Sequence, residues 1–149
     1  MDKNALQNLL RDLYNQKIQP NEAIEQLSIL PYENLDFAKI DHHRSLRNGL
    51  PEVIYGAGKT GDQLISIIKS LHKAENDILA TKLDPKVYKD IERKLPSGTI
   101  YNESSLTLVI KQSKRKKKMG HITIVSAGTS DIPIAEEAQV TAELFGSKV

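Results

Sequence analysis

The sequence predicts an α/β protein with two parts: a small N-terminal α/β domain with a helical hairpin preface, followed by the first βα unit of a parallel-sheet domain. Strand-like and helix-spaced apolar runs alternate along the chain, and two of the strands lead through glycine-containing turns into helices. A dense basic run then separates the two parts. The predicted organisation is a domain over residues 1–110, a linker over 111–118 and an incomplete second domain over 119–149.

Composition sets limits on what the chain can do. Its 149 residues are 39% apolar, carry a net charge of +2 and include no cysteine. This length suits one ordinary domain or two small ones, and the absence of cysteine excludes disulfides, thiolate metal sites and a cysteine nucleophile within the chain. No apolar run approaches the roughly 20 residues that span a bilayer, and the N-terminus lacks a signal-peptide layout. We expect a cytoplasmic protein with neither a membrane nor a nucleic-acid partner.

The first 43 residues show no catalytic pattern. Helical spacing of leucines predicts a helix after Asp2, and Pro20 is suited to the start of a second one. Alternating apolar and polar residues over Leu35–Asp41 predict a strand. His42 and His43 follow in a predicted solvated turn, and adjacent side chains on extended backbone point in opposite directions, so they are poor joint ligands for a metal.

A stretch that bears on function runs from Arg44 to Thr60. A strand is predicted over Glu52–Tyr55, followed by a glycine-containing turn and an apolar helix. A strand, the sequence Gly-x-Gly-Lys-Thr and a helix follow one another, and this succession resembles half of a phosphate-binding loop. It is not a Walker A motif, because the first glycine of that motif would fall at Val53. The turn could bind an anion, or its glycines could simply permit a tight βα connection. The candidate residues for either role are Arg47, Gly56, Gly58, Lys59 and Thr60.

Further along, the chain continues the alternation of strands and helices. A strand is predicted over Asp77–Leu83, a helix capped by Asp84 follows, and paired strands are predicted over Thr99–Asn102 and Ser105–Ile110. Lys111–Lys118 is strongly basic. Because this run lacks aromatic residues for stacking on bases, a solvated linker is favoured over a nucleic-acid site.

The last 30 residues contain the pattern that most clearly indicates a function. Ile122–Val125 is a β-branched run that predicts a buried strand, and Pro133 suits the first turn of the helix that follows, which Gly146 ends. A strand, a tight small-residue turn and a helix N-terminus together form a common anion site of open α/β sheets. The predicted residues for binding substrate or nucleotide are Gly128, Thr129, Ser130 and Asp131.

Two of these stretches carry a family resemblance. The string from Arg47 through Thr60 strongly resembles the N-terminal region of LarB proteins. Gly128–Asp131 resembles the Ser-x-Ser-Asp loop after the first strand of PurE, the aminoimidazole ribonucleotide carboxylase or mutase, to which the LarB catalytic domain is similar. The second serine and the aspartate match, whereas Gly128 replaces the first serine and could offer only its backbone N–H. The resemblance implies that the second domain is PurE-like, with a flavodoxin-like parallel sheet.

The resemblance also implies an activity. LarB enzymes make pyridinium-3,5-biscarboxylic acid mononucleotide for the nickel-pincer cofactor, from nicotinic acid adenine dinucleotide and CO2 or bicarbonate. A cysteine thiolate adds to the pyridinium ring, the ring captures CO2 at C5, the thiolate leaves, and hydrolysis of the phosphoanhydride releases AMP. In such a site the turn would orient the nucleotide, with Asp131 accepting from a ribose hydroxyl. Mg2+ is the expected helper, and the family is expected to form a homo-oligomer, an octamer as in PurE-like proteins.

The family's cysteine would lie beyond Val149, so no catalytic residue is assigned in this chain. We expect an N-terminal fragment that is inactive as an enzyme on its own. The alternatives are a relative of the PurE-type carboxylase or mutase, and a non-catalytic nucleotide-binding remnant. The roughly 110 N-terminal residues, which PurE lacks, argue against the first of these alternatives.

Overall fold

The computed structural model describes residues 3–28, 33–42, 44, 50–112 and 120–149. The chain divides into two compact units, Met1–Glu52 and Val53–Val149. The predicted linker at 111–118 stays a prediction, and most of it lies outside the described residues.

The first unit begins with the predicted helical hairpin. Helix α1 spans Lys3–Tyr14 and helix α2 spans Pro20–Ser28. Gln16 takes a left-handed φ of 57° between them, which stops the first helix, and Pro20 opens the second. The Gln19 N–H donates to the Glu22 side chain at 2.9 Å and so adds a polar contact at the start of α2.

A two-stranded hairpin replaces the predicted strand over Leu35–Asp41. Strand β1 is Glu33–Asn34, and it pairs antiparallel with β2, Lys39–Ile40. The Asn34 side chain accepts from the Asp36 N–H at 3.1 Å, and Asp36 has a φ of 65°, so the chain reverses inside the segment predicted as one strand. The strand prediction was wrong because this local turn overrides the alternation of apolar and polar residues.

His42 is also placed differently from the prediction. Its side chain is only 7% exposed, and its Nε2 lies 2.9 Å from Glu33 Oε2. His42 does lie in a turn, but the prediction that this turn is solvated was wrong for His42, because the ring is buried and pairs with the first strand of the hairpin. His43 lies outside the described residues.

The second unit is built on a four-stranded mixed sheet. Its strands are β3 (Val53–Tyr55), β4 (Ile78–Thr81), β5 (Ile100–Asn102) and β6 (Thr107–Ile110). Their order is β3-β4-β6-β5, with β3 and β4 parallel and the other neighbours antiparallel. This sheet confirms the predicted α/β fold class. The central strands β4 and β6 are apolar without alternation, as expected for strands covered on both faces.

Helices α3 (Gly61–Lys73) and α4 (Pro85–Ile91) connect these strands. Gly61 comes so close to α4 that a Cβ there would lie 2.7 Å from Ile91 Cγ2. A short 3-10 helix, Glu92–Lys94, extends α4. The core of this unit is aliphatic and consists of Ile54, Leu64, Ile65, Ile67, Ile68, Leu71, Ile78, Leu79, Ala80, Leu83, Ile91, Leu108, Val109 and Ile110.

The last part of the second unit contains helix α5, Ile132–Leu144, which confirms the predicted helix to within one residue at each end. The predicted strand over Ile122–Val125 was wrong. His121 makes an isolated parallel bridge with Lys148, and the Ile122 N–H donates to the Lys148 carbonyl at 2.8 Å. Val125 is 87% exposed. A strand needs hydrogen-bonded partners along several residues, and the described residues show a single bridge, at His121 just before this segment.

None of the helices in the described part of the chain combines the length and the apolar character that crossing a membrane needs.

Candidate functional site

The turn before α5 brings the four predicted nucleotide-binding residues together. Thr129–Asp131 form one turn of 3-10 helix, and the Asp131 N–H donates to the Gly128 carbonyl at 3.0 Å. The Asp131 carboxylate accepts from the Gly128 N–H at 3.3 Å and from Ser130 Oγ at 3.5 Å. All four residues are exposed. The turn is thus accessible, and its carboxylate helps to fix its shape.

The start of α5 differs from the starts of the other two helices in this unit. Thr60 and Gln63 form a reciprocal capping box on α3, and the Asp84 carboxylate accepts from the Lys86 N–H at 2.7 Å on α4. At α5, within the described residues, Asp131 provides no side-chain cap. A turn of 3-10 helix therefore precedes α5 in place of a side-chain cap, and the Ile132 N–H donates to the Thr129 carbonyl of that turn. The positive end of the helix dipole at this exposed start favours an anion.

A groove of about 340 Å³ lies beside this turn, between the extended segment and α5. Ser126 and Thr123 line one side, and Ile132, Ala135, Glu136 and Gln139 line the other. The Oε2 atom of Glu136 is buried and has no hydrogen-bond partner among the described residues. A buried carboxylate oxygen without a donor is costly, so the groove is suited to a group that donates a hydrogen bond or carries positive charge.

The glycines of the Gly56–Thr60 turn have a packing explanation. The Gly56 N–H donates to the Thr81 carbonyl at 2.7 Å, and a Cβ at Gly56 would lie 3.0 Å from that oxygen and 3.1 Å from Leu83 Cα. Gly58 has a φ of 74°, which a side chain disfavours. The close approach of β3 to β4 therefore requires Gly56, and the turn conformation requires Gly58. Thr60 is occupied as the cap of α3, and Lys59 is half-buried.

The two candidate groups thus differ in character. Gly128–Asp131 form one exposed turn at a helix start without a side-chain cap. In the Gly56–Thr60 connection, Gly56 packs closely on β4 and Thr60 caps α3. Their roles in binding stay predictions, and Arg47 lies outside the described residues. Sequence reasoning missed Glu136, although its helical spacing from Ile132 and Gln139 places all three on one face of α5.

No metal site is assigned in this part of the chain. Among the described residues, no group of three or more histidine, aspartate or glutamate side chains is placed to hold an ion. The magnesium that the family resemblance implies stays a prediction, because Mg2+ is usually held by one or two carboxylates together with waters and substrate phosphates rather than by three or more protein side chains.

Comparison with known proteins gives two matches for this chain. A family model described as the LarB/PurE-like N-terminal domain matches residues 32–113, more than half of the chain. The chain is also 38% identical over 152 residues to Uncharacterized protein MJ0165 of Methanocaldococcus jannaschii, an alignment that covers 98% of this chain and 59% of that protein. The chain thus spans about three fifths of the length of the curated relative it matches.

Proposed function

The chain belongs to the LarB/PurE-like N-terminal domain family, and from that premise we propose that it is part of an enzyme that carboxylates the pyridinium ring of nicotinic acid adenine dinucleotide. The enzyme then hydrolyses the phosphoanhydride, giving pyridinium-3,5-biscarboxylic acid mononucleotide and AMP. It acts in the cytoplasm as a homo-oligomer. The nucleophilic cysteine comes from outside these 149 residues, which contain none.

In this proposal the residues described here bind and orient the dinucleotide. The observation that carries it is the exposed Gly128–Asp131 turn at the start of α5, which among the three described α-helices of the second unit is the one whose N-cap side chain makes no hydrogen bond. The N–H groups of Thr129 and Ser130 donate to a phosphate, because those of Gly128 and Asp131 already have partners within the turn. Asp131 accepts from a ribose hydroxyl. Gly128 suits close approach of a phosphate, because it adds no side chain between the ligand and the backbone.

Calorimetric titration with nicotinic acid adenine dinucleotide tests the proposed site. The protein used is the product of the complete reading frame, read to its own stop codon. Asp131→Ala should weaken binding about ten- to 150-fold, since a hydrogen bond to a charged group is worth about 1.5–3 kcal/mol and each 1.4 kcal/mol is about tenfold in affinity. Asp90→Ala is the matched control, because it removes an exposed carboxylate from α4 in the same unit.

Unchanged affinity in Asp131→Ala, with the same thermal stability as the wild type, would remove this turn from the site. Equal losses in both variants would mean that the charge of the unit, rather than the turn, determines binding. Asp131→Asn is informative as well, because its amide oxygen can still accept from the Gly128 N–H. It should therefore keep the shape of the turn while losing the negative charge.

A further inference from the structure

An ion pair links the sheet of the second unit to helix α5. Lys82 follows the last residue of β4, and its Nζ donates to Glu137 Oε2 at 2.6 Å across 55 positions of sequence. The two side chains are 43% and 22% exposed, so the pair is partly shielded from water. Partial shielding makes an ion pair stronger than a fully solvated one, because screening by water and salt is reduced.

The backbone that carries Lys82 is fixed on both sides. The Thr81 carbonyl accepts from the Gly56 N–H at 2.7 Å, and the Leu83 N–H donates to the Leu106 carbonyl at 2.9 Å. Lys82 itself has a left-handed φ of 53°. Such a conformation persists where the neighbouring structure determines it. The backbone of Lys82 is therefore held in place, and its side chain reaches α5 from a fixed position.

An open groove lies beside the ion pair, along the side of α5 that carries Glu137. The groove has a volume of about 730 Å³ and is lined by Lys82, Glu137 and mostly small or exposed apolar residues of the helix, among them Ile134 and Ala138. A helix that is loosely packed at a contact is held less firmly by dispersion. The Lys82–Glu137 pair borders this groove and so restricts how far α5 can shift.

The same helix carries the candidate nucleotide turn at its start. Glu137 lies less than two helical turns from Asp131, so a shift or tilt of α5 moves Gly128–Asp131 with it. Lys82 lies inside the segment that matches the LarB/PurE-like N-terminal domain, and Glu137 lies beyond it. The pair thus connects the family domain to the segment that contains the turn.

We propose that Lys82 is a positioning residue: its ion pair with Glu137 docks α5 on the sheet and so sets the position of the Gly128–Asp131 turn. This rests on the proposed function for the role of the turn, whereas the docking itself does not. The N-terminal family domain thereby contributes to the site without touching the nucleotide.

Amide hydrogen exchange on the 149-residue chain tests the docking without any nucleotide. The variants are Lys82→Glu, Glu137→Lys and the charge-swapped double variant, and Lys89→Glu on α4 is the control for an exposed lysine. Each single reversal should speed exchange of the α5 amides about two- to fivefold, the range for exposed and partly exposed pairs. The double variant should return to the wild-type rate. Singles that match the wild type, or a double variant no slower than the singles, would overturn the docking.

Nucleotide affinity of the complete reading-frame product tests the positioning. Lys82→Glu should weaken binding of nicotinic acid adenine dinucleotide about two- to fivefold, and Lys82→Arg, which keeps the charge, should bind as the wild type does. Faster exchange in α5 with unchanged affinity would overturn the positioning role. If the wild type itself fails to bind the dinucleotide, the proposed function fails, and the exchange experiment still decides whether Lys82 docks the helix.

Discussion

Replacing Gly56 with alanine tests whether the first glycine-containing turn is a packing feature. A Cβ on Gly56 would lie 3.0 Å from the Thr81 carbonyl oxygen and 3.1 Å from Leu83 Cα. Both neighbours are backbone atoms that cannot rotate away, so β3 and β4 must separate by a few tenths of an ångström. That shift strains the hydrogen bond from the Gly56 N–H to Thr81, which is 2.7 Å long.

The expected cost follows from overpacking. Added atoms in a well-packed region typically cost about 1–3 kcal/mol. For a unit of roughly 100 residues, each kcal/mol lowers the midpoint of thermal unfolding by about 4–8 °C, so a loss of about 5–20 °C is expected. Thermal unfolding followed by circular dichroism measures it. Gly128→Ala is the matched control, because its Cβ would lie 3.5 Å from Ser130 Oγ, an ordinary contact, and its midpoint should stay close to the wild type.

An unchanged midpoint in Gly56→Ala would refute this reasoning. If that variant were also to lose affinity for phosphate or for the dinucleotide, the glycine would be needed for close approach of an anion. The anion-binding interpretation of the Gly56–Thr60 turn would then replace the packing one.

Three more predictions concern the second unit. Asp84→Ala should lower the free energy of unfolding by about 1 kcal/mol, because it removes the acceptor of the Lys86 N–H at the start of α4, and Asp84→Asn should recover most of that loss in urea titrations. Burial, with nearby negative charge, raises the pKa of Tyr101 above its usual 10.0. Folding thus favours the neutral phenol, so this stabilisation is complete below about pH 10 and is lost as the pH rises through the raised pKa. Tyr101→Phe should therefore show a smaller fall in stability above pH 10, and an absorbance titration of the wild type that places this phenol at or below 10 would contradict the shift. The purified 149-residue chain should release no AMP from nicotinic acid adenine dinucleotide, because it contains no cysteine; AMP release at an enzymatic rate would show that the chemistry does not need one.

Local signals in the sequence were sufficient to predict where helices of the second unit start and end. Asp84 followed by Pro85 predicts the start of α4, and the structure shows the aspartate accepting from the Lys86 N–H. Gly146, with a φ of 99°, ends α5 as predicted. Such signals succeed because capping and left-handed turns depend on a few consecutive residues.

The wrong strand predictions lie where hydrogen-bond pairing between segments, rather than local composition, decides the conformation. The Asn34–Asp36 turn splits the predicted strand over Leu35–Asp41, and turn chemistry of this kind is easily missed inside an alternating run. Ile122–Val125 has the composition of a buried strand. Strand formation needs neighbours, however, and among the described residues the segment is bridged at His121 alone. The Lys82–Glu137 pair, 55 positions apart, could not be read from local sequence.

We propose that this chain is part of a carboxylase whose nucleotide is oriented by the Gly128–Asp131 turn. The most direct measurement incubates the product of the complete reading frame with nicotinic acid adenine dinucleotide and isotopically labelled bicarbonate, and follows the products by mass spectrometry. We expect labelled pyridinium-3,5-biscarboxylic acid mononucleotide and an equal amount of AMP, with a raised KM in Asp131→Ala. Absence of label in the mononucleotide, from a folded protein that binds the dinucleotide, would contradict it.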